Sequence, residues 1–330
     1  MSSLFAPNVI PESSVTLPPL RIGYSAAAPA ELLSDADVLA VIAFGTTAVD
    51  DPRHLAIGLE RLGERVVEVW RAGAPVSHGR DGNVRWSSDG HYGFFAIEIA
   101  EPAEDDIADA ADRAYRELLA AIRQSATPHV LRLWNYFDAI NAGAGDDERY
   151  RRFCVGRVRG MQGAWQDAYP AATAIGRSDG RRVLQVYALT SRTAGTPVEN
   201  PRQVNAWRYP REYGPTAPTF ARGMTTAAGQ LLISGTAAVV GHKSHHEDDV
   251  VAQLDETLKN IASLIRSASV GAVEGPGAGS LLKVYLRDGD DAALVSEHLR
   301  AQVPGLDGLL LLRGDICRRE LLVEIDGVQI

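Results

Sequence analysis

Apolar residues recur at three- and four-residue steps in two places along the chain. Ile107, Ala111, Ala114, Leu118 and Ile122 form one stripe, and their spacing predicts a helix over 105–124. Val251, Leu254, Leu258, Ile261 and Ile265 form a second, predicting a helix from Asp249 to Arg266. Runs with strand character flank both: 94–100 and 129–136 around the first, 230–235 and 281–287 around the second. The register continues to the ends of the two halves, where 181–187 lines up without a gap against 318–324. Self-similarity at so long a period predicts duplicated domains and not a solenoid. The expected fold class is α/β (α+β), two tandem copies, each a mixed sheet packed with helices. The first copy is expected over 1–195 and the second over 196–330. A connecting segment, 193–218, carries Pro197, Pro201, Pro210, Pro215 and Pro218, which forbid a long helix. Within it, Trp207, Tyr209 and Tyr213 beside Arg202, Arg208 and Arg211 either wall a site or pack across the domain interface.

The last strand carries the most informative polar residue. Alternation puts Leu322, Glu324 and Asp326 on one face and Leu321, Val323 and Ile325 on the other, so Glu324 points either at water or into a pocket. If both faces are covered, desolvation raises its pKa and leaves it able to donate a proton near neutral pH. Cys317 is seven positions away, on the opposite side of an uninterrupted strand, unless Arg318-Arg319-Glu320 forms a turn that brings the two together. It either shapes a pocket or serves as a small buried hydrophobe. Cys154 reads as structural. In the first copy Tyr187 takes the place of Glu324, so one active site per chain is expected.

Composition narrows the function classes. The 330 residues carry a formal net charge of −9, which argues against a nucleic-acid partner, since phosphate binding needs a basic surface. An anionic small molecule would need a local arginine cluster. No apolar run reaches the roughly 18 residues of a membrane span, and residues 1–8 lack a basic stretch followed by an apolar one. With only two cysteines, a soluble protein of the reducing cytoplasm is expected, as a monomer or small homo-oligomer. The run His242–Asp249 offers three imidazoles and three carboxylates, but it reads as a helix entrance with Ser244 as N-cap, and no metal is expected. Residues 146–152 read as an exposed, mixed-charge helix face. The glycines, Gly143, Gly145, Gly271, Gly275, Gly277 and Gly279 among them, form no nucleotide-binding pattern, and no G-x-S-x-G elbow occurs.

Several segments carry a resemblance. Residues 216–223, 231–236, 283–288 and 323–325 resemble the trimeric YjgF/RidA fold, whose domains are chorismate-mutase-like. The arginine that holds the substrate carboxylate in that family's small deaminases has no clean counterpart, because Leu309–Leu312 occupies the region. Residues 132–141, 200–202 and 220–222, with Cys317 and Glu324, resemble the chorismatases, which carry two YjgF-like domains in one polypeptide. The resemblance implies cleavage of chorismate to pyruvate and a cyclic acid, with Glu324 as proton donor. It implies further that a cysteine at the place of Cys317 marks the 3-hydroxybenzoate synthases, one group of which also makes 4-hydroxybenzoate. A dianionic substrate calls for arginine, and Arg132, Arg159 and Arg222 are the candidates. Tyr136, Tyr187, Tyr213, Gly235 and Thr236 complete the expected substrate site. Chorismate minus pyruvate already equals hydroxybenzoate, so no cofactor is expected. The alternatives are a chorismate hydrolase yielding a dihydroxycyclohexadienoate, a RidA-like imine deaminase and a non-catalytic small-ligand binder.

Overall fold

The computed structural model describes residues 19–64, 66–101, 106–269 and 273–330. Residues 1–8, Asp105 and Gly271, on which expectations were placed, lie outside these. The described residues begin with a sheet that the sequence pattern does not announce. It holds β1 (Arg21–Ser25), β2 (Val38–Phe44), β3 (His54–Ile57) and β5 (Val67–Arg71), in the order β1-β5-β2-β3, with a one-turn helix, α1 (Pro29–Leu32), between β1 and β2. The two-residue β4 (Glu60–Arg61) leaves this sheet for another.

Both expected β–α–β units are present. The first half contains β6 (Ser77–Asp81), β7 (Val84–Ser88), β8 (Tyr92–Ala100), α2 (Ile107–Arg123), β9 (His129–Asp138), α3 (Arg149–Met161), β10 (Ala171–Arg177) and β11 (Val183–Ser191). Its sheet order is β10-β9-β11-β8-β7-β6. The second half contains β12 (Thr196–Val198), β13 (Gly223–Thr225), β14 (Leu231–Ala237), a small hairpin of β15 (Val239–Val240) and β16 (Lys243–Ser244), and α4 (Val250–Ala268). It closes with β17 (Ser280–Leu286), α5 (Ala292–Gln302), β18 (Gly308–Arg313) and β19 (Val323–Gln329). The order β18-β17-β19-β14-β13-β12, with β4 beyond β18, repeats that of the first half strand for strand. The parallel pair falls at the same place in each, β9 with β10 and β17 with β18. Tyr187 pairs with Ala96 and Trp134 in one sheet, and Glu324 with Ala237 and Tyr285 in the other.

Two local expectations are corrected. Asp249, not Ser244, caps α4: it sits in extended backbone directly before the helix, and its carboxylate accepts from Ala252 N at 2.9 Å. Ser244 lies in β16 and donates instead to Glu320. Nor is the run 146–152 a uniformly solvated face. Arg149 pairs with the buried Glu101 and Arg152 with Asp106, which ties the start of α3 to the end of β8 and the start of α2.

Helices cover the outer face of each duplicated sheet, α2 and α3 on the first, α4 and α5 on the second. The inner faces meet in one core that the small sheet also shares. Leu39, Ile42, Phe44 and Trp70 come from the small sheet, Phe94, Trp134, Tyr136 and Tyr187 from the first half, and Leu232, Tyr285, Leu310 and Leu312 from the second. Buried charges lie within it. Lys283 Nζ meets Glu68 Oε2 at 2.5 Å and lies 3.9 Å from Asp326 Oδ1, while Arg132 is 3.1 Å from Asp326 Oδ2. Trp70 Nε1 donates to the second oxygen of Glu68 at 2.7 Å. Glu68→Leu therefore leaves the Lys283 ammonium only Asp326 at 3.9 Å and leaves Trp70 Nε1 without its acceptor. It is expected to cost about 3–5 kcal/mol, the usual penalty for breaking a buried pair from one side, readable by urea denaturation.

Candidate active site

β19 lies between β14 and β17, so its backbone is paired on both edges. Alternation sends Val323 and Ile325 under α4 and leaves Glu324 and Asp326 on the inner face. Next to Glu324, opposite Asp326, the ladder is irregular: the β14–β19 register shifts between Ile233 and Thr236. Gly235 sits in that bulge, and a Cβ there would lie 2.0 Å from Glu324 Oε1. Only glycine lets the carboxyl rest against the backbone. β10 of the first half braces the same bulge, since Gly235 N donates to Thr173 Oγ1 at 3.0 Å and Ala172 N to Ser234 Oγ at 3.0 Å.

Glu324 is 5% exposed, and its carboxyl has no hydrogen-bond partner among the described residues. It opens into a cavity of about 480 Å³. Burial, with the charge of Asp326 behind it, pushes its pKa up to about 8 against the opposing pull of Arg222 and Arg132. At neutral pH it therefore holds a proton.

Cys317 lines the same cavity. A turn through Arg318 to Leu321, closed by Leu321 N on Arg318 O at 3.2 Å, folds the cysteine back over Glu324. The Arg287 guanidinium holds this turn, donating to the carbonyls of Ile316, Arg318 and Leu321 and to Asp315. Burial, and then the neighbouring Glu324, pushes the thiol up to about 12, so it stays neutral.

Four guanidinium groups line the walls. Arg222, 4% exposed, donates to Val204 O at 2.8 Å and to Tyr209 OH at 2.7 Å, while its Nε is buried with no partner. Arg318 lies 4.1 Å over the ring of Tyr213 and donates to His242 O and Ser244 Oγ. Arg319 is anchored on the carbonyls of Asn141 and Gly143, and Arg151 stands 3.3 Å from Glu148. Glu148, Glu212 and Glu320 line the same cavity, so with Glu324 neutral the four arginines outnumber the wall's carboxylates by one, in a chain that is negative as a whole. Phe220, Tyr150, Tyr209 and Tyr213 supply aromatic surface.

The cavity thus brings together Glu324, Cys317, Arg222, Tyr213 and Gly235 of the residues expected from sequence. The others stand elsewhere. Thr236 is buried beside the bulge with its hydroxyl on Ser234 O. Arg132 faces inward onto Asp326, because strand alternation aims it between the sheets. Tyr136 and Tyr187 stack on each other, and Tyr187 on Trp134 at 4.8 Å, deep in the shared core. Arg159 lies on the outer side of α3, its side chain 48% exposed, paired with Asp109 and Asp112. Arg151, Arg318, Arg319, Phe220 and Tyr150 had not been singled out for the site. Arg318 and Arg319 follow Cys317 directly, so the turn that carries the cysteine into the cavity carries them too. Of the His242–Asp249 run, His242 bonds Tyr213 and Ser244 bonds Arg318, both supporting the wall.

A buried acid in a cavity with four arginines, between duplicated sheets, defines an enzyme acting on an anionic small molecule. Residues 68–190 match the family model described as "Chorismatase FkbO/Hyg5-like, N-terminal". A "3-hydroxybenzoate synthase" of Streptomyces hygroscopicus is 36% identical over 281 residues, covering 80% of this chain and 82% of that protein. A "Chorismatase" of the same organism is 33% identical over 332 residues, covering 96% and 95%. A chorismatase crystal structure superposes with a TM-score of 0.84 at 31% identity, covering 96% of this chain and all of that one. The chain belongs to the chorismatase family.

Gly235→Ala is expected to displace the Glu324 carboxyl and cut turnover by about 100-fold, the scale of a misplaced catalytic group. Circular dichroism and melting temperature should show that the fold survives.

Proposed function

We propose that this protein cleaves chorismate to pyruvate and 3-hydroxybenzoate. The observation that carries the proposal is the buried, protonated carboxyl of Glu324, facing a cavity with four arginines beside a neutral thiol. Chorismate bears two carboxylates and an enol ether, so the protein must supply two cationic contacts and one proton. Arg222, with its unpartnered Nε, takes one carboxylate, and the Arg318–Arg319–Arg151 side of the cavity takes the other. Glu324 gives its proton to the terminal methylene of the enol ether and, as a carboxylate, stabilises the oxocarbenium ion that forms. The ring hydroxyl then attacks the neighbouring ring carbon and gives its proton to the Glu324 carboxylate, while that carbon's bond to the ether oxygen breaks, releasing pyruvate and leaving an epoxide. The epoxide opens, loses a ring proton and aromatises. Substrate and products balance with no water and no redox partner. Excluding water favours this route over attack by water on the side-chain carbon, which would give the diol.

Cys317 reaches the cavity from the turn and shapes the space around the ring. The two unpaired cysteines fit a reducing cytoplasm. We assign 1–195 and 196–330 to the two domains, with 21–71 as an added sheet. Catalysis falls to the second copy alone, because Tyr187, at the strand position of Glu324, is locked in the aromatic stack.

Glu324→Gln should leave the fold and chorismate binding intact and abolish pyruvate release in a lactate dehydrogenase-coupled assay; near-normal turnover would refute the acid's role. The acid must be protonated to act, so kcat/KM should hold across neutral pH and fall as the pH rises through about 8. Cys317→Ala should shift the products toward the non-aromatic diol, and an unchanged ratio by liquid chromatography would remove the cysteine's role.

A further inference from the structure

We infer that Asp326 is a positioning residue for this reaction: a fixed charge on the face of β19 that carries Glu324, tied through Thr173 to the backbone bulge on which the acid rests. This rests on the reading of Glu324 as proton donor.

The two carboxyl groups are two positions apart on one strand and one face, roughly 7 Å by strand geometry. Their surroundings differ completely. Asp326 Oδ2 accepts from Trp134 Nε1 at 3.1 Å, from Thr173 Oγ1 at 3.0 Å and from Tyr285 OH at 3.0 Å, and it pairs with Arg132 at 3.1 Å. Tyr285 OH is bonded in turn to Tyr136 OH at 2.8 Å. None of these groups lines the cavity. Thr173 links Asp326 to the site directly, for the hydroxyl that donates to Asp326 also accepts from Gly235 N, whose backbone the Glu324 carboxyl rests against. One hydroxyl from the first half therefore ties the charge to the backbone against which the acid rests.

The charges around the pair fix the sign of the effect. Behind Asp326 stand Arg132 from β9, Lys283 from β17 and, through Lys283, Glu68 from β5: two cations against two carboxylates. Around them the hydroxyls of Tyr24, Tyr136, Tyr187 and Tyr285 are kept neutral by burial. Glu324 itself feels Arg222 from the entry to β13 and Arg132 from β9, with Tyr150 and Cys317 beside it. Farther out, the same cavity is lined by Arg151 and Glu148 at the start of α3, Glu212 of the connecting segment, and Arg318, Arg319 and Glu320 of the turn before β19, cations and carboxylates in equal number. Asp326→Asn removes one negative charge from a balanced cluster and leaves it net positive beside Glu324, so the acid ionises more readily. Lys283→Met does the opposite.

The test follows Glu324 by ¹³C NMR in enzyme labelled at the glutamate carboxyl carbon, assigned by its loss in Glu324→Gln, alongside the pH profile of kcat/KM. In Asp326→Asn the Glu324 titration and the alkaline limb of the rate should both move down by about one pH unit, the scale of a neighbouring charge in a dry site. In Lys283→Met both should move up. Circular dichroism and thermal melting establish that each variant is folded, and the opposite sign of the second serves where the first is unstable. A Glu324 resonance that titrates unchanged in a folded variant overturns the inference and leaves Asp326 a structural residue. A resonance that moves while the rate profile stays put supports the inference and overturns the general-acid role instead.

Discussion

Desolvation of one strand organises this molecule. β19 is paired along both edges, covered by helices on one side and by two other sheets on the other, so any carboxyl on its inner face is taken out of water. Two carboxyls are placed there, and burying them is costly unless they are paired or protonated. Asp326 is satisfied by Arg132, Trp134, Thr173 and Tyr285. Glu324 is left with a proton in place of a partner, facing the cavity. The same burial that makes one residue a structural anion makes the other an acid, a separation of roles by environment that acid–base enzymes exploit generally.

Duplication explains how one chain affords such an interior. The two sheets repeat strand for strand, yet their inner faces have diverged. In the first half the corresponding strand carries Tyr187, stacked between Trp134 and Tyr136, and its neighbours build a hydrogen-bonding and aromatic platform. In the second half the strand carries the acid. The first half contributes Thr173 and Arg132 behind the site and Tyr150 and Arg151 at its wall. The small sheet of β1, β2, β3 and β5 closes the core and contributes Glu68 to the charge balance.

The two long helices and the strands beside them were legible because their signal is local: stripes at helical spacing in 107–122 and 251–265, and alternation in β19. The lone carboxylate was legible for the same reason, whereas β6, β7, β10, β18 and α5 gave no such signal, and the side on which Cys317 lies depended on a turn that the sequence left open. The opening sheet was not. Val38–Phe44 is a continuous apolar run buried on both faces, which has no alternation to read, and its neighbours are short. The arginines were the other gap. Whether a guanidinium faces a cavity, a carboxylate behind it or solvent depends on how the sheets and helices meet, and sequence does not carry that for Arg132, Arg159, Arg318 or Arg319. Gly235 shows the reverse case: the glycine was visible, but its reason, contact with Glu324 across a bulge, is tertiary.

The central claim is that this cavity turns chorismate over by protonating its enol ether and keeps water from the intermediate. The most direct measurement incubates the purified protein with chorismate and resolves the products by liquid chromatography and mass spectrometry. Equal amounts of pyruvate and 3-hydroxybenzoate, with or without a minor share of the 4-isomer, are what the account predicts. Pyruvate accompanied only by the non-aromatic diol would contradict the exclusion of water, and chorismate recovered unchanged would contradict the account as a whole.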